Sequence, residues 1–171
     1  MIAKPVQPQI RQATAQDLEA CAAIFTYWIE HSVASFDDRP FEGARAQAWF
    51  DAHTSARYPL LVAVTDQVRG WGTLSPWSEK GGYARTVEIS VFVAPDCRKQ
   101  GVGKQLIGAL LHKARQVGHR VILARVESTN VASIRAFKRA GFETVGVMHN
   151  VGFKFDRWLH IELLERQLSE A

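Results

Sequence analysis

Apolar and polar positions along the chain follow two periods, and the switches between them mark its elements. Leu18, Cys21, Ala22 and Phe25 recur at three- and four-residue intervals, which predicts a helix running to about Trp28. Residues 10–13 before it read as a short strand, and Thr14 with Asp17 reads as an N-cap followed by an acidic first turn. A second, weaker helix is expected over 44–53. The period then changes. Leu60–Val64 and 71–74 pair as a hairpin across 66–70. Thr86–Val93, TVEISVFV, is the strongest strand pattern in the chain because β-branched and aromatic side chains suit a pleated surface.

Beyond Pro95 and a basic loop, Leu106, Ile107, Leu110, Leu111, Ala114 and Val117 form one helical face that Gly118 closes. Residues 121–126 read as a strand, and Asn130 opens a helix carrying Ile134 and Phe137 that ends at Gly141. Residues 144–148 and 158–164 read as two last strands joined by a glycine-containing loop. Strands and helices alternating in this way predict one α/β domain with a mixed sheet over 10–171, preceded by a loose tail over 1–9 with Pro5 and Pro8.

The loop between the strongest strand and the strongest helix, Arg98-Lys99-Gln100-Gly101-Val102-Gly103-Lys104, carries the first chemistry. Its glycines let backbone N–H groups turn inward, and the helix start beyond adds unpaired donors and a partial positive charge. With three cationic side chains, these features predict a phosphate cradle. It is not a Walker A loop, which needs a glycine at position 98 and Ser or Thr at 105, where Arg98 and Gln105 stand. Nor is it the dinucleotide fingerprint, because Leu106 occupies the place of its last small residue.

Composition narrows the function classes. The chain of 171 residues is 47% hydrophobic and 22% charged, ordinary for a globular domain and against wholesale disorder. No apolar run approaches the roughly 18 residues of a membrane span, and the first twenty residues lack a signal peptide's apolar core, so a cytoplasmic protein is expected. Cys21 and Cys97 cannot make a four-ligand zinc site, and the six histidines, His31, His53 and His149 among them, show no metal spacing, so no metal is expected. A net charge of +4 suits an anionic ligand; Arg135, Lys138 and Arg139 without a recognised basic-aromatic motif do not make a nucleic-acid surface.

The loop does not stand alone. Arg98 with Gln100-Gly101-Val102-Gly103 after a strand resembles the Arg/Gln-x-x-Gly-x-Gly/Ala pyrophosphate signature of the GNAT acyltransferases. Ile10-Arg11, Ala13-Thr14, Asp17-Leu18, Tyr58-Pro59-Leu60-Leu61-Val62-Ala63, Tyr83, Thr86-Val87-Glu88 and Ser90-Val91 resemble the branch that acetylates phosphinothricin and methionine sulfoximine. So do Asn130, Ser133-Ile134, Gly141-Phe142, Gly152, Lys154-Phe155 and Arg157-Trp158, and the likeness covers about residues 10–165. It implies a GNAT fold, an α+β arrangement whose mostly antiparallel sheet splays between two parallel strands, flanked by helices.

The resemblance further implies acetyl-CoA as co-substrate, bound where the strand Thr86–Val93 parts from its neighbour over 121–126. The pantetheine arm would pair with Val91, Phe92 and Val93, and the pyrophosphate would lie on Arg98, Lys99, Gln100, Gly101, Val102, Gly103 and Lys104. Asn130 and Ser133 would hold the pantetheine side, and a backbone N–H near Val91 would polarise the thioester carbonyl. Glu88 is the expected general base, because an ammonium ion must lose a proton before its nitrogen attacks a thioester. Trp28, Phe36, Trp77, Ser78, Lys80 and Tyr83 are the acceptor-site candidates, and a homodimer using the C-terminal strands is implied.

Two positions depart from the branch. Phe137 stands where a histidine is usual and cannot donate a proton to the leaving thiolate. Ser78 stands where an arginine usually grips the acceptor's carboxylate, leaving Lys80 or Arg85 as possible substitutes. The leading expectation is acetylation of an amino acid or analogue. Acetylation of a protein or peptide amine, and a CoA-binding module without turnover, are the alternatives.

Overall fold

The computed structural model describes residues 7–168. In chain order the elements are β1 (Gln9–Gln12), α1 (Leu18–His31), α2 (Gly43–Ala52), β2 (Leu60–Val64), β3 (Val68–Pro76), β4 (Thr86–Val93), α3 (Val102–Gln116), β5 (Val121–Glu127), α4 (Val131–Arg139), β6 (Glu143–Lys154) and β7 (Arg157–Gln167). The seven strands form one open sheet in the order β1-β2-β3-β4-β5-β7-β6. Every neighbouring pair is antiparallel except β4 and β5. The mixed, mostly antiparallel sheet expected from the sequence is therefore present.

Alternation along β4 decides which face each helix covers. Val87 and Ile89 are buried with Leu106 and Leu110 of α3 in the main core. On the opposite face Phe92 meets Phe25 of α1 edge-to-face, 4.8 Å between centroids, and lies tilted against its cross-strand partner Trp71 at 5.0 Å. Trp49 of α2 meets Trp71 edge-on at 4.9 Å. One face thus belongs to α3, and the other, which carries Glu88, to α1 and α2.

Several boundaries differ from the sequence reading. β1 begins at Gln9, within the expected tail, and of that tail residues 1–6 lie outside the described residues. Thr14 opens a short 3₁₀ turn, Ala15–Asp17, rather than α1 itself, with its N–H 2.7 Å from the Asp17 carboxylate. Arg11 closes on the same carboxylate at 2.7 and 2.9 Å, which pushes Asp17 down to about 2. The glycine-containing loop expected before the last strand is not a loop: Gly152 lies inside the twelve-residue β6. The turn is made by Phe155 and Asp156, both left-handed at φ 51° and 57°, the twist a two-residue hairpin requires.

Candidate active site

The parallel ladder between β4 and β5 is short. It pairs Thr86 with Val121, Val87 with Ile122 and Glu88 with Leu123, and stops there. Beyond Glu88, β4 stays paired with β3 as far as Val93, while β5 stays paired with β7 as far as Glu127. The two strands therefore part, and a cleft opens with Glu88 at its root and Val91, Phe92 and Val93 along one wall.

The basic loop follows that wall. A 3₁₀ turn, Pro95–Cys97, leads into Arg98, Lys99 and Gln100, all exposed. Lys99 and Gly101 are left-handed, φ 61° and 84°, and Gly101 caps α3. Left-handed residues spaced this closely turn successive N–H groups to one side, a concavity suited to an anion at a helix start. The loop is held by its own side chains: Arg98 Nε donates to the Pro95 carbonyl at 3.0 Å and Gln100 Nε2 to that of Asp96 at 2.9 Å. Val102 is buried, whereas Gly103 is half-buried and Lys104 exposed. Across the cleft Asn130 caps α4, its Oδ1 accepting from the Ser133 N–H at 3.2 Å.

Glu88 is not free. Arg125, two residues past Leu123 on β5 and so on the same face, donates through Nε to Oε1 and through Nη2 to Oε2, both at 2.6 Å. The Arg125 guanidinium also lies 5.7 Å from the Trp77 ring centroid. Its pKa is raised further by the bond to Glu88. Sequence reasoning missed Arg125; the only available signal was a charge in the otherwise apolar run VILARV. Neither Lys80 nor Arg85 takes this position; both are exposed on the segment leading to β4.

Directly across from Glu88 on β3 is Ser75, whose hydroxyl is 2.9 Å from His53 Nε2. His53 Nδ1 lies 2.6 Å from the Trp49 carbonyl, so it must donate there, leaving Nε2 to accept from Ser75. Burial lowers the His53 pKa, which keeps the ring neutral.

The acceptor-site candidates divide. Trp77 lies beside Arg125, and Ser78 is next along the chain with its hydroxyl accepting the Lys80 N–H at 3.3 Å. Tyr83 is exposed in the 3₁₀ turn Gly81–Tyr83. Trp28 sits elsewhere, its indole N–H bonded to the Val93 carbonyl and its ring 5.5 Å from the Arg98 guanidinium. Phe36 packs on Gly152, where a Cβ would overlap its ring. Phe137 is buried against Phe142 at 5.1 Å, a packing role. Burial pushes the Cys21 thiol up to about 12, and Cys97 is also buried. Among the described residues no cluster of His, Cys, Asp or Glu could hold a metal, and no helix is long and apolar enough to cross a membrane.

Residues 22–142 match the model of the acetyltransferase (GNAT) family. The chain is 40% identical over 162 residues to an L-methionine sulfoximine/L-methionine sulfone acetyltransferase of Pseudomonas paraeruginosa, covering 94% of each. It is 33% identical to a phosphinothricin N-acetyltransferase of Alcaligenes faecalis, covering 94% of this chain and 82% of that one. The solved structure of YncA from Salmonella typhimurium, with its cofactor acetyl-CoA, superposes with a TM-score of 0.92 at 34% identity, covering 97% and 96% of the two chains.

Proposed function

Because the chain belongs to the GNAT acetyltransferase family, we propose that it moves the acetyl group of acetyl-CoA onto the primary amine of an amino acid or close analogue, of the methionine sulfoximine or phosphinothricin type. The observation that carries this reading is the parting of β4 from β5 immediately after Glu88, with the glycine-rich loop at the far end of the same strand. A cofactor's pantetheine arm lies along Val91, Phe92 and Val93 as an added strand. Its pyrophosphate rests on the amides of 100–104, with Arg98, Lys99 and Lys104 supplying charge and Asn130 and Ser133 facing it from α4.

Glu88 at the root of the cleft takes the proton from the acceptor's ammonium, directly or through one water. The freed nitrogen attacks the thioester carbonyl and a C–N bond forms; the C–S bond breaks to release CoA thiolate, and the nitrogen's second proton passes to solvent as the neutral amide forms. Transfer is direct: Cys21 lies in the core with its thiol pushed up to about 12, and Cys97 is 3% exposed, so neither offers an accessible thiolate for an acyl-enzyme. Phe137 has no proton to give, and a thiolate leaves without one.

We also read the chain as a homodimer. β6 is an edge strand of twelve residues with Val145, Val147, Val151 and Phe153 exposed, and an unpaired apolar edge of this length invites a second copy.

The test of the activity is CoA release from acetyl-CoA with purified protein and a panel of methionine sulfoximine, phosphinothricin, ordinary amino acids, polyamines and a short peptide. Saturable turnover with the first two is expected. Turnover confined to polyamines or the peptide would replace the amino-acid assignment, and binding of acetyl-CoA without turnover on any acceptor would overturn it.

A further inference from the structure

We propose that Arg125 selects the acceptor: together with Glu88 it complements the two charges of an α-amino acid, so the site prefers an amine that carries a carboxylate on the neighbouring carbon. This rests on the acetyl-transfer reading above and names the feature of the acceptor that the site recognises.

The geometry of one side chain carries the inference. A guanidinium has five N–H donors, and Glu88 engages one on Nε and one on Nη2, so three remain. The Arg125 side chain is 51% exposed whereas that of Glu88 is 17% exposed, so the guanidinium is the more open partner. The Trp77 ring lies against it and limits how its plane can turn. Its neighbours Ala124 and Val126 are buried, which fixes the backbone from which it projects.

A negative and a positive group are thereby held side by side at the root of the cleft. An α-amino acid presents the reverse order, ammonium beside carboxylate, one carbon apart. Laid against the pair, its ammonium meets Glu88, which is to receive the proton, and its carboxylate meets donors of Arg125 that Glu88 leaves unused. A planar fork suits a carboxylate in a way that an ammonium such as that of Lys80 does not. A simple amine fills only the Glu88 half. The hydroxyl of Ser78 already bonds to the Lys80 N–H, and it carries no charge, so position 78 cannot supply this grip.

The test compares L-methionine sulfoximine with the amine of the same side chain lacking the carboxylate, each acetylated by the wild-type chain, Arg125→Gln and Arg125→Lys. Loss of Arg125 also loosens Glu88, which lowers both rates, so the informative quantity is the ratio of kcat/KM for the two acceptors. Wild type is expected to favour the amino acid. Arg125→Gln should reduce that ratio by about tenfold or more, mainly through the amino acid's KM, and Arg125→Lys should recover part of it. Melting temperature and acetyl-CoA affinity show that the variants are folded. An unchanged ratio in both variants, or a wild type that prefers the simple amine, overturns the inference and leaves acetyl transfer standing. A wild type that binds acetyl-CoA and acetylates neither compound overturns the amino-acid reading and this inference with it.

Discussion

The indole N–H of Trp28 donates to the carbonyl of Val93 at 2.8 Å, tying α1 to the last residue of β4. The Arg98 guanidinium lies 5.5 Å from the same ring, so Trp28 sits beside the glycine-rich loop, toward the other end of β4 from Glu88. Trp28→Phe should cost about 1 kcal/mol of stability from the lost hydrogen bond. It should raise the KM for acetyl-CoA roughly threefold or more as Arg98 faces a smaller, weaker ring that is no longer tied to Val93. The acceptor KM should hardly move. Steady-state kinetics with each substrate varied in turn decides this, and a change confined to the acceptor would return Trp28 to the acceptor pocket.

Gly101 and Gly103 are close in the chain but not equivalent. Gly101 is left-handed at φ 84°, so Gly101→Ala strains the backbone by about 1–2 kcal/mol although nothing lies within 4 Å of the added methyl. The loop relieves the strain by moving, and acetyl-CoA affinity should fall about tenfold. At Gly103 the methyl meets only Val93 Cγ2 at 3.6 Å, an ordinary contact, so Gly103→Ala should melt like wild type. Calorimetric titration and thermal melts of the two variants separate strain from steric exclusion of the cofactor.

Glu88→Gln removes the proton acceptor and keeps the shape. Acetyl-CoA binding should be unaffected, and kcat should drop at least about tenfold. An unaltered rate would take Glu88 out of the mechanism and point to Ser75 on β3 and His53 at the C-cap of α2.

The stability of the fold should decline with acid in two stages. His53 and His119 are buried, and desolvation holds both below the ordinary 6.5. His119 gives one ring nitrogen to the Arg57 carbonyl at 2.9 Å, and its Nδ1 has no partner that could accept a second proton. The unfolded chain therefore binds protons that the folded one resists. Their contribution is complete above about 6.5 and is lost as pH falls towards the folded-state values. Asp17, pushed down to about 2 by Arg11, contributes above its ordinary 3.8 and is lost as pH falls through about 2. Melting temperature against pH should show the first decline as pH falls below the ordinary histidine value of 6.5. His119→Gln, which keeps a donor but cannot titrate, should flatten it; an identical slope in that variant would exclude His119.

Sedimentation velocity should give the mass of two chains, and Val147→Lys combined with Phe153→Lys should shift the equilibrium towards one. These side chains are 42% and 60% exposed on the edge strand, so the substitutions disturb no core. A wild-type chain sedimenting as a monomer at micromolar concentration would end the dimer reading.

The positions of Glu88 and of the glycine-rich loop were legible because both depend on neighbours in sequence. The alternation of TVEISVFV assigns Glu88 a face, and Gly101 before an apolar helical face marks where α3 begins. The extent of β6 was not legible. Its two irregularities, between Thr144 and Gly146 and between Met148 and Gly152, break the two-residue period, and exposure on most of its length removes the apolar signal.

The pairing of Glu88 with Arg125 spans 37 positions, and nothing local to either residue announces it. Local periodicity determines which face of a strand a side chain occupies, and so the sequence by itself determined most of the elements, the place of the glycine-rich loop and the face that carries Glu88. Which strands lie side by side, and where a parallel ladder stops, depends on packing across the whole sheet. That global choice put Arg125 on Glu88, Trp28 beside the glycine-rich loop and Phe36 on Gly152, and only the tertiary structure decided it.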